Sequence, residues 1–323
     1  MGRTIMMGML ACLAVAGAAQ ASPARSLITV EREVSLEVLD WGGEGIPVIL
    51  LADLGCTAHI FADFAPLLRP DCRVVALTRR GFGDSDAPES GYDTATLAHD
   101  VLAIADSLGL GRFVLAGHGI AGAEMTALAL KHPHRVGALV YLDAAGQRLP
   151  WELVGGDLPV PTEPAIQEED LASPRAVGDY LARIRGWRPP DEEIAATWIF
   201  SPEGRALGPA TPRRSFEAVS AGLVPGDFRR LTVPCLAIFS LPGVEALFPW
   251  YDTFSGKDRA LAEETVARLL PLSLGQVRDF QKAVPAARVV EWAATSHFMF
   301  LTRPTETAAE IRAFLAGSKE ESP

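Results

Sequence analysis

The stretch Val114-Leu115-Ala116-Gly117-His118-Gly119-Ile120-Ala121-Gly122-Ala123-Glu124 runs from a short apolar segment, through small residues, into a helix-forming run. A strand that turns sharply into a helix lifts its central side chain above the sheet. Small flanking residues keep such a turn clear of its neighbours, and the free N–H groups at the helix start suit a negative charge. The residue lifted here is Gly119, which has no side chain to present.

Working outward, short apolar β-branched runs alternate with helical stretches. Strands are expected at 48–51, 73–77, 112–116, 138–142, 234–239 and 287–292, and helices at 58–69, 94–109, 120–132, 259–283 and 304–316. Strands separated by helices imply a mostly parallel sheet with right-handed crossovers. The pair 28–34 and 36–40 alternates apolar and polar residues and ends at Trp41-Gly42-Gly43, which suits an antiparallel hairpin at the sheet edge. The alternation breaks after residue 145 and returns near 232. The intervening 146–231, rich in Pro, Gly and Trp with helical fragments at 174–186 and 213–221, is expected to be a cap over the carboxyl edge of the sheet. Trp151, Trp187 and Trp198 are candidates either to line an apolar pocket or to pack the cap onto the core.

At the N-terminus Arg3 precedes an apolar run and the small-residue tripeptide Ala19-Gln20-Ala21, the pattern of a secretory signal peptide over residues 1–21. Export to the periplasm or medium is the expectation, leaving no stable membrane anchor after cleavage. That leaves 22–145 and 232–323 as one α/β core carrying the 146–231 insertion. With 49% hydrophobic and 21% charged residues, the composition is that of an ordinary globular protein. The net charge of −11 argues against nucleic acid and leaves a small molecule as the expected partner. Cys56, Cys72 and Cys235 permit one disulfide at most, and their spacing does not choose the pair. No phosphate loop, dinucleotide fingerprint or metal-ligand spacing is present, so no cofactor and no metal are expected.

Together with the elbow, the loop Arg79-Arg80-Gly81-Phe82-Gly83-Asp84-Ser85, the helix start Gly91-Tyr92-Asp93-Thr94, the run Val140-Tyr141-Leu142-Asp143-Ala144-Ala145 and Ala294-Thr295-Ser296-His297-Phe298 resemble the α/β-hydrolase superfamily in order and spacing. The resemblance implies an α/β-hydrolase fold with a cap, and hydrolysis of small carboxylic esters, amides or lactones. It sets a serine where Gly119 stands, so the usual acyl-enzyme route is closed in this chain. A binding protein without turnover, or a general-base enzyme without a covalent intermediate, are the other readings. The resemblance makes His297 the base and Ile120 and Leu54 the backbone donors of an oxyanion hole. Its acid is Asp143, after the strand that follows the elbow helix, or else Asp252.

Asp53 stands in the oxyanion loop. Pointing inward it would repel an oxyanion; otherwise it would face solvent or accept N–H bonds within its turn. Cys56 and Ser240 are the nearest alternative nucleophiles by topology, though neither lies on the elbow. His118 reads as motif filler, and the acidic triplet Asp191-Glu192-Glu193 as solvated surface.

Overall fold

The computed structural model describes residues 22–146 and 160–320. The expected signal segment, Trp151 and the first part of the expected cap therefore lie outside the described residues. Strands β1 (Ala24–Glu31), β2 (Val34–Gly42), β3 (Ile46–Leu51), β4 (Cys72–Leu77), β5 (Phe113–His118) and β6 (Val136–Leu142) precede the cap. Inside the cap, β7 (Trp198–Phe200) and β8 (Ala206–Pro209) form a two-stranded antiparallel ribbon; β9 (Cys235–Ser240) and β10 (Arg288–Trp292) complete the main sheet. Its order is β1-β2-β4-β3-β5-β6-β9-β10, antiparallel at β1-β2-β4 and parallel throughout the rest. The chain belongs to the α/β class with a mostly parallel sheet, as the alternation of runs predicts.

The central strands are apolar along most of their length because helices cover both faces. Along β3, Val48 and Leu50 join one core cluster while Ile49 and Leu51 join the other; Val74 and Ala76 divide from Val75 and Leu77 in β4 in the same way. Burying an aliphatic side chain this completely stabilises by about 1.5–3 kcal/mol each.

Helices α1 (Thr94–Ser107) and α2 (Ala121–Lys131) flank the sheet, and Asp93 caps α1 through the N–H groups of Ala95 and Thr96. The cap contributes α3 (Pro174–Arg185), α4 (Asp191–Thr197) and α5 (Arg213–Gly222). After β9 come the long α6 (Gly256–Ala283) and, last, α7 (Pro304–Glu320).

Two expectations need correcting, and the choice left open for the tryptophans is made. The helix at 58–69 is two short 3-10 turns, Ala58–Phe61 and Ala65–Leu67, because Pro66 has no N–H and its ring blocks a continuous helix. Trp187 and Trp198 do not line the main cavity. Trp187 stacks on Phe298 at 4.3 Å and so packs the cap onto the core, while Trp198 packs within the cap itself. Glu193 is buried rather than solvated, since α4 turns it inward against the core. Cys56, Cys72 and Cys235 are buried, and no disulfide joins them.

Helix α2 leaves β5 so tightly that its first turn touches the end of β6. A Cβ built on Gly122 would lie 1.9 Å from the Ala144 carbonyl oxygen. Gly122→Ala is therefore expected to cost about 1–3 kcal/mol or more, since the obstacle is backbone. The midpoint of urea unfolding, compared with an Ala substitution at the unobstructed Gly317, checks it.

Candidate active site

Strand register decides which loops meet. The order reverses between β3 and β5, which lie side by side, so the loops after their carboxyl ends flank a switch point. Leu51 pairs with Gly117, and two residues further along each strand stand Asp53 and Gly119. The side chain of Asp53 consequently reaches over the elbow. Its Oδ1 accepts the Ile120 N–H at 2.9 Å, and its Oδ2 receives the Nε2 proton of His297 across 3.2 Å. A Cβ on Gly119 would come within 2.0 Å of Asp53 Oδ1. Gly119 has φ +56°, a left-handed geometry that also suits glycine best. The carboxylate thus fills the space in which an elbow side chain would stand.

Helix α2 has no side-chain cap of its own at Ile120, so Asp53 supplies the missing acceptor from another strand. The loop bearing it is anchored at both ends. Buried Arg79, paired with Glu124 of α2, donates to the Ala52 carbonyl at 3.0 Å. At the far end, Cys56 N–H donates to the Asp53 carbonyl at 3.2 Å and Thr57 begins the next turn.

His297 bridges two acids. Its Nδ1 lies 2.6 Å from Asp143 Oδ2 and its Nε2 faces Asp53. Burial disfavours the imidazolium, but the hydrogen bonds and charges of Asp143 and Asp53 outweigh it and raise His297 to about 10. Both nitrogens therefore carry protons at neutral pH. Burial would push Asp53 up, yet the bond to His297, the His297 charge and the Ile120 N–H hold it well below the usual carboxylate range. At rest the site is a carboxylate, an imidazolium and a carboxylate in a row.

Asp143 sits just past β6 with φ +48°, a conformation that aspartate tolerates better than most residues. Ser240, at the tip of β9, donates to Asp143 through both its backbone N–H, at 3.0 Å, and its hydroxyl. Ser240 is thus an orienting partner of the acid. Removing the hydroxyl, Ser240→Ala, is expected to lower the rate at which the site reacts about ten-fold while leaving Asp53 in place. Steady-state kinetics beside the circular dichroism spectrum of the variant would show it.

His118 is wholly buried beneath His297. Its Nε2 donates to the His297 carbonyl at 3.1 Å, because a carbonyl only accepts, and its Nδ1 has no partner. Burial, reinforced by the His297 charge, lowers His118 to about 3, so it is neutral and fixes the His297 backbone. Asp53, His118 and His297 form the one group among the described residues whose ligand atoms lie within 4.8 Å of one another, as holding a metal ion requires. No sequence spacing announces it, since its members come from the loop after β3, the end of β5 and the loop after β10. Here the proton on His297 Nε2 already joins two of the three.

Of the residues expected from sequence, Gly119, Ile120, His297 and Asp143 meet at one point. Leu54 lines the same cavity. Asp252 is exposed in the turn Tyr251–Thr253, where its carbonyl accepts from Arg259. The Cys56 thiol is pushed up by burial and by the charges of Glu193 and Asp53, which suits a packed thiol and not a nucleophile. Above the site opens a cavity of about 470 Å³ between the cap and α6, with Leu269, Ser273 and Gln276 of α6 on one wall. Among the described residues, its lining contains no lysine or arginine.

The alpha/beta hydrolase family model matches residues 48–310, and the chain belongs to that family. Over 107 residues, 32% of this chain, it is 35% identical to a fluoroacetate dehalogenase of a Burkholderia species. A putative non-heme haloperoxidase of Mycobacterium phage D29 is 33% identical over 104 residues. The matches span only 35% and 37% of those proteins' lengths. Among solved structures, E-2-(acetamidomethylene)succinate hydrolase superposes with a TM-score of 0.66 over 91% of this chain and 99% of its own, at 18% identity. That likeness speaks to the fold.

Proposed function

We propose that this α/β hydrolase acts on small uncharged molecules through Asp53, whose carboxylate attacks the substrate in place of an elbow serine. The observation that carries the reading is the seat of Asp53, one oxygen on the Ile120 N–H and the other facing His297 Nε2. Small carboxylic esters, amides or lactones would need that N–H for their own oxyanion, and would have to displace Asp53 first. Attack at a saturated carbon needs no oxyanion hole. A partial relative is named for removing halogen from fluoroacetate, an anion; a cavity wall without lysine or arginine among the described residues supports an uncharged substrate instead.

The resting imidazolium favours a leaving oxygen, as in an epoxide. An Asp53 oxygen bonds to the ring carbon, the carbon–oxygen bond breaks, and the leaving alkoxide takes the Nε2 proton of His297. The product is an Asp53 ester and a neutral His297 still oriented by Asp143. That imidazole takes a proton from water, and the hydroxide adds to Asp53 Cγ. The oxyanion formed there has the Ile120 N–H as its donor. Collapse expels the second alkoxide, which receives the proton of the regenerated acid, and Asp53 carboxylate and His297 imidazolium are restored. The net change is addition of one water.

His297→Ala tests this with styrene oxide. Losing the imidazolium slows the first step but stops the second, so an ester should accumulate and map by peptide mass spectrometry to Asp53. Asp53→Asn should acquire none. Ligand-dependent thermal stabilisation with neither adduct nor diol would favour the binding-protein reading and overturn this one.

A further inference from the structure

We propose that Glu193 of the cap is a positioning residue, which holds Asp53 at Ile120 and His297 by gripping the turn that carries it. Glu193 lies on α4 and is 3% exposed. Both its oxygens are directed to one residue, Thr57. They accept the Thr57 N–H at 3.1 and 3.3 Å and, through Oε2, the Thr57 hydroxyl. Thr57 directly follows the turn Asp53–Cys56, which the Cys56 N–H closes on the Asp53 carbonyl.

The chain of contacts from cap to site is therefore Glu193, Thr57, the 53–56 turn and the Asp53 carboxylate. The Thr57 hydroxyl also accepts the His59 N–H, so the same grip starts the 3-10 turn Ala58–Phe61. Arg79 fixes the other end of the loop from the core, through Ala52. With one end held by the core and the other by the cap, the reach of Asp53 depends on the cap being seated.

The groups around Glu193 offset only part of what burial costs its charge. Burial pushes its carboxyl up to about 7, while the Thr57 bonds and the nearby charges of His59 and Arg185 pull the other way. Cys56 of the turn lies within reach of the charges of both Glu193 and Asp53. His59 is itself tied to Glu37 at 3.1 Å. A solvated carboxylate on an N-terminal helical turn needs none of this; a buried one stays ionised only with such partners.

The readout is the His297 Nε2 proton, which reports the Asp53 contact and requires no turnover. In ¹⁵N-histidine-labelled protein at pH 8, the imidazolium should give two downfield N–H resonances, assigned by their loss in His297→Ala. Asp53→Asn marks the position of the Nε2 signal when its carboxylate partner is gone. Glu193→Gln should move the Nε2 signal most of the way to that position and leave the Nδ1 signal, on Asp143, unmoved. Thr57→Val, which keeps the backbone donor and the side-chain shape, should shift it in the same direction by less, and serves if Glu193→Gln does not fold. An unshifted Nε2 signal in either folded variant overturns the proposal, as does an equal shift of both signals. A failure of Asp53 to form an ester would leave these spectra untouched, so the two proposals are tested apart.

Discussion

Gly119→Ser is expected to yield no serine hydrolase. The new Cβ would stand 2.0 Å from Asp53 Oδ1 and 2.3 Å from its Cγ, at a backbone φ of +56°. Either the backbone or Asp53 must move. Overpacking of this kind costs about 1–3 kcal/mol, and strained backbone a similar amount. The variant should melt several degrees lower, leave p-nitrophenyl esters intact and remain unlabelled by a fluorophosphonate. Adding Asp53→Ala changes three things together: it empties the seat, frees the Ile120 N–H for an oxyanion, and removes one of the two carboxylates that keep His297 protonated. The double variant should gain ester hydrolysis by about 10³-fold or more over either single variant, the scale of a nucleophile's contribution. Equal labelling of Gly119→Ser and the double variant would show that Asp53 does not obstruct position 119.

Asp53→Asn has the second large effect expected. An amide keeps the shape and can still accept the Ile120 N–H, but it is a poor nucleophile and brings no charge to His297. Reaction with an uncharged epoxide should fall by about 10³-fold or more. The pH dependence of stability should change with it. His297 is raised in the folded protein to about 10, above the ordinary imidazole value of about 6.5. Its stabilising contribution is complete below about pH 6.5 and is lost as the pH rises through about 10. In that window the native protein should lose stability on the order of a few kcal/mol, and Asp53→Asn should lose less, since only Asp143 still favours the imidazolium. Thermal melts across that range decide it, and identical slopes would contradict the paired-carboxylate account.

Much of this fold is legible in the sequence because strands covered on both faces read as unbroken apolar runs, and the strand–turn–helix at 113–131 is punctuated by glycine. Gly119, Ile120, Asp143 and His297 are found by spacing from those elements. What spacing does not carry is register. Asp53 is visible as an acid in the oxyanion loop, but its direction depends on the pairing of Leu51 with Gly117 two residues below. Ser240 looks like a spare hydroxyl until β6 and β9 pair and bring it to Asp143. Glu193 is hidden among three consecutive acids at a helix start, a pattern that solvent usually claims, and only the docking of α4 turns the third one inward. Pro66 is the plain misreading, a helix breaker inside an apolar period.

The central claim is that the oxygen delivered to substrate comes first from Asp53 and only then from water. Turnover of styrene oxide in H₂¹⁸O, followed by peptide mapping, tests it directly. With Asp53 as the nucleophile, the diol of the first turnover carries ordinary oxygen from the enzyme, and ¹⁸O appears in the Asp53 carboxylate and not in Asp143. Diol labelled with ¹⁸O from the first turnover with Asp53 unlabelled, or no diol at all, would contradict it.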